Sequence, residues 1–169
     1  MQPQGLKATR MADIRAATPS DAAAWLELRH ALWPDSERAT HAREIERFLA
    51  GALSVPLHVL LAFDGGRAVG LAELNIRPYA EGCSTDRVGF LEGWYVVPEA
   101  RRRGIGTALV RAAERWAIER GCTELASDAE HDNRLSQKAH HALGFEEVGQ
   151  IRCFRKDLRR RGGENPSPG

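Results

Sequence analysis

The sequence lacks the long apolar runs that a membrane span requires. A transmembrane helix needs about 20 consecutive apolar residues, and no stretch of the chain approaches that length. The first residues also contain no apolar segment of the kind found in secretion signals. We therefore expect a cytoplasmic protein with no membrane partner.

Cysteine is scarce, and neither sign of charge is in excess. The three cysteines are odd in number and lack metal-ligand spacing, which favours reduced thiols over a disulfide framework or a metal site. Lys and Arg total 24 against 23 Asp and Glu, and the two signs are interspersed. This pattern gives no reason to expect a nucleic-acid partner.

No internal repeat divides the 169 residues, and this length suits one domain with a substantial core. We expect that domain over residues 11–158. Residues 1–10 have no hydrophobic periodicity and are predicted to be a disordered extension. Residues 159–169 are rich in Arg, Gly and Pro and are predicted to be a disordered tail.

Hydrophobic periodicity predicts a mixed α/β fold, because strand and helix patterns occur along the same chain. Strands are expected over residues 12–17, 57–63, 68–76, 90–97, 124–128 and 146–156. Helices are expected over residues 22–32, 41–50, 105–120 and 132–143. Asp64-Gly65-Gly66-Arg67 predicts a hairpin turn, and residues 78–87 form a polar loop of the kind that carries function.

Residues 90–121 carry the strongest functional signal, a strand followed by a glycine-rich turn and a helix. A helix N-terminus presents unpaired N–H groups and about half a positive charge, and glycine there lets a phosphate approach closely. Arginine pairs bidentately with phosphate. We predict an anion site, although an ordinary strand-to-helix connection would leave the same pattern. Its residues would be Arg101, Arg102, Arg103, Gly104, Ile105, Gly106 and Thr107.

Glu92 lies within an otherwise apolar predicted strand. An ionised carboxylate in such surroundings needs either a charged partner or a function. We interpret Glu92 as functional.

Two motifs in order resemble the GCN5-related N-acetyltransferase (GNAT) superfamily. Arg-x-x-Gly-x-Gly at 101–106 is followed about thirty residues later by Asn133, a helix and Leu-Gly-Phe at 143–145. By itself the second segment predicts only a packed amphipathic helix. The resemblance covers about residues 11–157 and implies a mostly antiparallel sheet, flanked by helices, whose splayed parallel central strands admit the pantetheine arm of acetyl-CoA. It places the pyrophosphate on residues 101–107, with further coenzyme contacts from Val96, Asn133, Ser136 and Lys138.

Five shorter motifs resemble the aminoglycoside 6'-N-acetyltransferases of bacterial resistance. They are Leu32-Trp33-Pro34, Ile76-Arg77-Pro78-Tyr79, Phe90-Leu91-Glu92-Gly93, Ala126-Ser127-Asp128 and Ser136-Gln137-Lys138. This resemblance implies a homodimer that acetylates the 6'-amine of a polycationic antibiotic. It also places Trp33, Tyr79, Glu92 and Asp128 in the antibiotic pocket. From the residues alone, Trp33 could pack at a helix end, Tyr79 could cover the domain edge and Asp128 could be a turn residue.

Acetyl transfer requires a deprotonated amine, a polarised carbonyl and a stabilised or protonated thiolate. We predict Asp128 as the base and Glu92 as the amine orienter or water-relay base. By resemblance, a backbone N–H within residues 94–96 polarises the carbonyl. The related enzymes commonly carry a tyrosine near the C-terminus as proton donor, but this chain has Phe154 there. Phenylalanine cannot donate a proton, so the thiolate leaves unassisted or another group serves.

Substrate charge is consistent with this interpretation but does not select one acceptor. The loops expected at the open end of the sheet are acidic, which would attract a polycation. A polyamine, another small amine, a protein amine or a basic peptide would fit the same charge, and a non-catalytic acyl-CoA-binding module is a further alternative. The acidic residues are Asp35, Glu37, Glu81, Asp86, Asp128, Glu130 and Asp132.

Overall fold

In the computed structural model, which describes residues 12–158, a five-stranded sheet carries helices on both faces. The predictions for residues 1–10 and 159–169 lie outside these described residues. The strands are β1 (Asp13–Ala16), β2 (His58–Asp64), β3 (Arg67–Arg77), β4 (Val88–Val96) and β5 (Leu125–Ser127). The helices are α1 (Ala22–Leu32), α2 (Arg38–Leu49), α3 (Ile105–Glu119) and α4 (Arg134–Ala142).

The strands follow one another across the sheet in chain order. β1 to β4 pair antiparallel, and β4 pairs with β5 in parallel. The connection from β4 to β5 contains α3, as a parallel pair requires a long crossover. The mixed α/β fold predicted from the sequence is confirmed.

The β2–β3 hairpin turns through the two glycines that the sequence singled out. Gly65 has φ 58° and Gly66 has φ 84°. Positive φ at both central residues is the geometry of a two-residue turn matched to the twist of the strands, and glycine adopts it without strain.

The core has two layers because side chains of a strand alternate between the sheet faces. Leu60 and Ala62 of β2 pack on the α3 side, in one cluster with Leu109. Val59 and Leu61 pack on the opposite side, around the fully buried Trp25 of α1. The sheet therefore separates α3 from the α1–α2 pair.

The predicted strand over residues 146–156 is wrong, because no strand is formed there. Ile151 and Phe154, taken as its apolar positions, are 65% and 93% exposed. Apolar residues predict a strand only where a neighbouring strand can accept its backbone hydrogen bonds, and within residues 12–158 this segment has none. Consequently β5 is an edge strand of the described sheet, and the parallel pair is not at its centre.

No helix within residues 12–158 has the length and apolarity needed to cross a membrane. All three cysteines lie in this part of the chain and are unpaired, as expected.

Candidate active site

The parallel strands β4 and β5 pair over only a short stretch. The paired residues are Gly89 with Leu125, Phe90 with Ala126 and Leu91 with Ser127, whereas β4 continues to Val96. This leaves the later part of β4 without β5 beside it. A gap between two parallel strands is where the sequence predicted the coenzyme arm.

Backbone N–H groups of β4 face this gap. The N–H of Val97 donates to the carbonyl of Val69 on β3, at 3.0 Å. Because successive residues of a strand point their N–H groups to opposite edges, those of Trp94 and Val96 point away from β3. They lie where an N–H donor to the thioester carbonyl was expected.

Glu92 is the extra residue of a β-bulge. Glu73 pairs with Gly93 and Leu74 pairs with Leu91, so Glu92 has no opposite residue on β3. Bulges are common beside active sites because they redirect a side chain. This bulge lies immediately after the last β4 residue that pairs with β5.

The carboxylate of Glu92 has a charged partner that sequence reasoning missed. Arg77 donates to it through Nη2 at 2.5 Å and Nε at 3.0 Å, and Asn75 Nδ2 donates at 3.0 Å. The Arg77 guanidinium also stacks over Phe90, 3.4 Å from the ring centroid. The pairing of β3 with β4 brings the two residues together, because Arg77 lies opposite Val88, four residues before Glu92.

Asp128 follows β5 directly and is exposed. Leu91 and Ser127 are the last paired residues of the two strands, and Glu92 and Asp128 come next. The fold therefore places the two predicted carboxylates directly after the paired segments of two neighbouring parallel strands.

Trp33 ends α1 and lies against β4. A Cβ atom at Gly93 would be 2.6 Å from Trp33 Cη2, so the indole occupies the space that a side chain there would need. The Arg29 guanidinium lies 5.5 Å from the indole centroid, and His41 Nε2 is 3.3 Å from the Trp33 carbonyl. Trp33 is thereby brought beside the Glu92 bulge.

A buried charged group not found from the sequence lies under Trp33. Glu73 is 1% exposed, and its Oε1 accepts from Trp25 Nε1 at 2.7 Å. Arg29 pairs with Glu73 at 3.1 Å and with Glu44 at 2.9 Å. Burial raises the pKa of Glu73, and the charge of Arg29 opposes that rise.

Tyr79 is 64% exposed and stands on the polar loop 78–87. That loop is fixed by Glu124, which accepts from Thr85 Oγ1 at 2.7 Å and from the backbone N–H groups of Thr85 and Ser84 at 2.9 and 3.0 Å. These hydrogen bonds, that of the Thr85 hydroxyl above all, lower the pKa of Glu124. The loop thus presents Tyr79 from an anchored base.

The predicted anion turn caps α3. Gly104 is the N-cap, with φ +79°, and its carbonyl accepts from Ala108, so the N–H groups of residues 105–107 have no partner within the helix. Gly106 has a different role, since a Cβ there would lie 2.9 Å from the Trp94 ring. Glycine is needed at 104 for its backbone conformation and at 106 for packing.

Two of the three predicted phosphate arginines already have partners. Arg101 Nε donates to the carbonyl of Val96 at 2.9 Å, and Arg103 pairs with Asp64 at 2.8 Å. Arg102 is exposed and has a positive φ of 59°. At this turn, Arg102 and the backbone N–H groups of residues 105–107 are therefore the most accessible groups for binding a phosphate.

The second predicted coenzyme segment is α4. Asn133 is its N-cap, and its side chain accepts from the N–H of Ser136 at 3.0 Å. Lys138 is exposed. Ser136 is half-buried, with Oγ 3.3 Å from His140 Nδ1.

His140 of α4 reaches the end of the β4–β5 pairing, a contact not found from the sequence. Its Nε2 lies 3.0 Å from Ser127 Oγ, which donates to the Leu91 carbonyl at 3.1 Å. The ring meets Trp94 edge-on at 5.5 Å. An imidazole therefore lies where the two parallel strands separate.

Comparison with protein families matches residues 23–145 to the acetyltransferase (GNAT) family. The chain belongs to the GNAT acetyltransferase family. The gap beside β4, the bulge and the N-terminus of α3 are thus features of an acetyltransferase.

Among curated acetyltransferases, the chain is 55% identical to an aminoglycoside N(6')-acetyltransferase type 1 of Klebsiella aerogenes over 146 residues, covering 86% of this chain and 96% of the relative. It is 43% identical to an enzyme of the same name from Acinetobacter haemolyticus over 147 residues, covering 86% and 99%. A solved structure of AAC(6')-Iy in complex with the bisubstrate analogue CoA-S-monomethyl-acetylneamine matches with TM-score 0.81 and 37% identity, over 88% of this chain and 100% of that one.

Proposed function

We propose that this acetyltransferase moves the acetyl group of acetyl-CoA to the 6'-amine of aminoglycoside antibiotics and thereby confers resistance. The observation that carries the proposal is the placement of Glu92 and Asp128 at the ends of the paired parts of β4 and β5, beside Trp33. Two carboxylates and an indole suit an acceptor with several ammonium groups and a sugar ring. The relatives named for this activity support the choice of acceptor.

The donor would lie along the gap beside β4. The free N–H groups of residues 105–107 would bind its pyrophosphate, together with Arg102, because a helix N-terminus favours an anion. The N–H of Trp94 or Val96 would donate to the thioester carbonyl. Asn133 at the N-cap of α4, and Ser136 and Lys138 on that helix, would add further coenzyme contacts.

The two carboxylates would have different tasks. Arg77 and Asn75 hold Glu92 in one position, which suits a group that orients the ammonium and then the amine. Asp128 is exposed and follows the gap directly, so we assign it the removal of the proton from the attacking nitrogen. Tyr79, on its anchored loop, would close the antibiotic side of the site.

The test is an acceptor screen with purified protein. Release of free CoA thiol from acetyl-CoA should rise when kanamycin or tobramycin is added, and expression of the gene should raise resistance to the same compounds. Spermidine and a basic peptide serve as alternative acceptors. Turnover with spermidine or the peptide, but with no aminoglycoside, would show that the acceptor is another amine. The absence of turnover with any aminoglycoside would refute the proposal.

We further propose that the enzyme acts as a cytoplasmic homodimer. Within residues 12–158, the segment after α4 lies outside the sheet and exposes several apolar side chains, and no strand pairs with the outer edge of β5. A second copy could cover both. Sedimentation equilibrium should give twice the chain mass, and a Phe154→Ser change should weaken the association. The exposed side chains are Val148 (60%), Ile151 (65%), Phe154 (93%) and Leu158 (69%).

A further inference from the structure

A general acid would protonate the leaving thiolate, and Phe154 cannot act as one. We propose that His140 is the source of that proton and that the Ser127 hydroxyl passes it to the sulfur. This inference rests on the proposed acetyl transfer. It gives a role to a histidine that neither the motifs nor the carboxylate chemistry had used.

The position of the ring is the first argument. Ser127 Oγ, 3.0 Å from His140 Nε2, belongs to the last β5 residue that pairs with β4. Its neighbour along the chain is Asp128, and its hydrogen-bond acceptor is the carbonyl of Leu91, the neighbour of Glu92. The His140–Ser127 pair therefore lies at the last paired residues of β4 and β5, where the two parallel strands separate and the thioester would enter.

The hydrogen bonds of the ring are the second argument. His140 Nδ1 lies 2.8 Å from the carbonyl of Ser136, so Nδ1 carries a proton. When Ser127 donates to Leu91, its oxygen can accept from a protonated Nε2, and the ring is then a cation with both N–H groups satisfied. When Ser127 instead donates to Nε2, the ring is neutral. Rotation of the Ser127 hydroxyl satisfies Nε2 in both the cationic and the neutral ring. A group that donates a proton and is then reprotonated in each cycle requires this.

The surroundings of the ring are the third argument. Trp94 and Phe145 contact it edge-on at 5.5 and 5.1 Å, and these apolar neighbours fix its plane. Titratable residues flank the side chains that contact the ring. They are Glu92 and Tyr95 near Trp94 on β4, Asp128 after Ser127, Glu146 after Phe145, and Lys138 and His141 on α4 itself. The ring is thus held between two aromatic side chains, with its Nε2 edge toward Ser127.

In the proposed step, each proton that is released is taken up by a named group. The amine nitrogen forms a bond to the thioester carbon, and Asp128 takes the proton that the nitrogen loses. The carbon–sulfur bond then breaks and its electron pair stays on sulfur. Ser127 gives its proton to sulfur and receives one from His140 Nε2, which leaves a neutral ring and a protonated Asp128. Transfer through solvent returns that proton from Asp128 to the ring.

The experiment compares His140→Gln with His141→Gln, a matched change of the exposed histidine next to it on α4. We expect His140→Gln to lower kcat about 10²-fold, the low end for loss of a general acid. In the wild type, kcat should fall at alkaline pH as the ring loses its proton, and this limb of the profile should vanish in His140→Gln. His141→Gln should keep both the rate and the profile.

Ser127→Ala provides a second variant on a different element, should the helix substitution disturb folding. It should lower kcat while leaving CoA affinity and melting temperature close to wild type. A wild-type rate and alkaline limb in His140→Gln, or full activity in Ser127→Ala, would overturn the proposal. A low rate in His140→Gln that kept the alkaline limb would also overturn it, because a purely structural role predicts that result.

The outcome can be separated from that of the proposed function. If the wild type acetylates no aminoglycoside, the acceptor assignment fails, and the same variants are compared in acceptor-free hydrolysis of acetyl-CoA. That reaction also releases the thiolate, so it requires the same proton. An equal hydrolysis rate and pH profile in wild type and His140→Gln would then refute the role of His140.

Discussion

Gly93 and Trp33 are in such close contact that a single added carbon would force them apart. A Cβ at Gly93 would lie 2.6 Å from Trp33 Cη2 and 2.9 Å from Cζ2, well inside van der Waals contact. Gly93 follows the bulge at Glu92. Because Gly93 has no side chain, the Trp33 indole can pack beside this bulge. The glycine in the Phe-Leu-Glu-Gly motif is thus a steric requirement of the wall that Trp33 forms.

Gly93→Ala should displace the Trp33 indole and weaken acceptor binding. We expect KM for kanamycin to rise about tenfold, because loss of an aromatic wall is comparable to loss of an interface anchor, while the affinity for CoA stays the same. Gly149→Ala is the matched control, since a Cβ there meets no atom within 4 Å. An unchanged KM in Gly93→Ala would mean that Trp33 does not contact the acceptor.

Asp128→Asn and Glu92→Gln should affect different kinetic constants. Removing the base at 128 should lower kcat about 10²-fold with little change in KM for the acceptor. Removing the negative charge of Glu92 leaves the positive charge of Arg77 without its partner beside the incoming ammonium group. KM for the acceptor should therefore rise. CoA affinity, measured by calorimetry, should stay close to wild type in both. The control is Glu114→Gln, which removes an exposed ion pair with Arg111 on α3. Wild-type kinetics in both site variants would remove the two carboxylates from the mechanism.

Gly104→Val should abolish coenzyme binding. A β-branched residue strongly disfavours φ +79°, so the first turn of α3 would have to rebuild and its free N–H groups would lose their common direction. We expect CoA affinity to fall at least about 100-fold, with a modest loss of stability. Gly144→Val tests whether strain alone is responsible, since that glycine has φ +86° and open space but stands after α4. Equal losses of affinity in the two variants would contradict the assignment of the phosphate to the α3 turn.

Asp21→Asn should reduce stability in a pH-dependent way. Arg15 donates to Asp21 at 2.7 and 2.9 Å, and Thr18 donates through its N–H and hydroxyl, which holds the pKa of Asp21 well below its ordinary value. A lowered pKa adds stability above the unfolded pKa near 3.9, and that stability is lost as pH falls further. The difference in melting temperature between wild type and variant should therefore be constant above about pH 5 and shrink below about pH 4. The exposed Asp35→Asn serves as control, and a difference at pH 2.5 as large as that at pH 7 would exclude this linkage.

The elements that the sequence predicted correctly were those with a local cause. α1 was expected over residues 22–32 and is found at Ala22–Leu32, because its apolar face and Pro34 define it locally. The Asp64–Arg67 turn followed from the two glycines. Residues 146–156 failed as a strand because pairing depends on a distant neighbour, which periodicity does not report.

The residues of the candidate site also fall into two groups, those found from the sequence and those found only from the structure. Motif and resemblance located Trp33, Glu92 and Asp128, which the fold brings to one end of the parallel pair. They did not find Arg77, which meets Glu92 only through the register of β3 and β4. Nor did they find His140, whose partner Ser127 is thirteen residues away on another element. Such partners are properties of the folded backbone, so a single sequence contains no local signal for them.

The shortness of β5 has an evolutionary consequence. Three residues span about 10 Å, with Glu124, which fastens loop 78–87, just before the strand and Ser127, which meets His140, at its end. The loop can gain or lose residues between its fixed points without altering that distance. One residue inserted into β5 would instead reverse which side chains face α4. In the proposed mechanism, the acceptor range is therefore free to diverge through the loop, while the strand that leads to Ser127 and His140 tolerates no change in length.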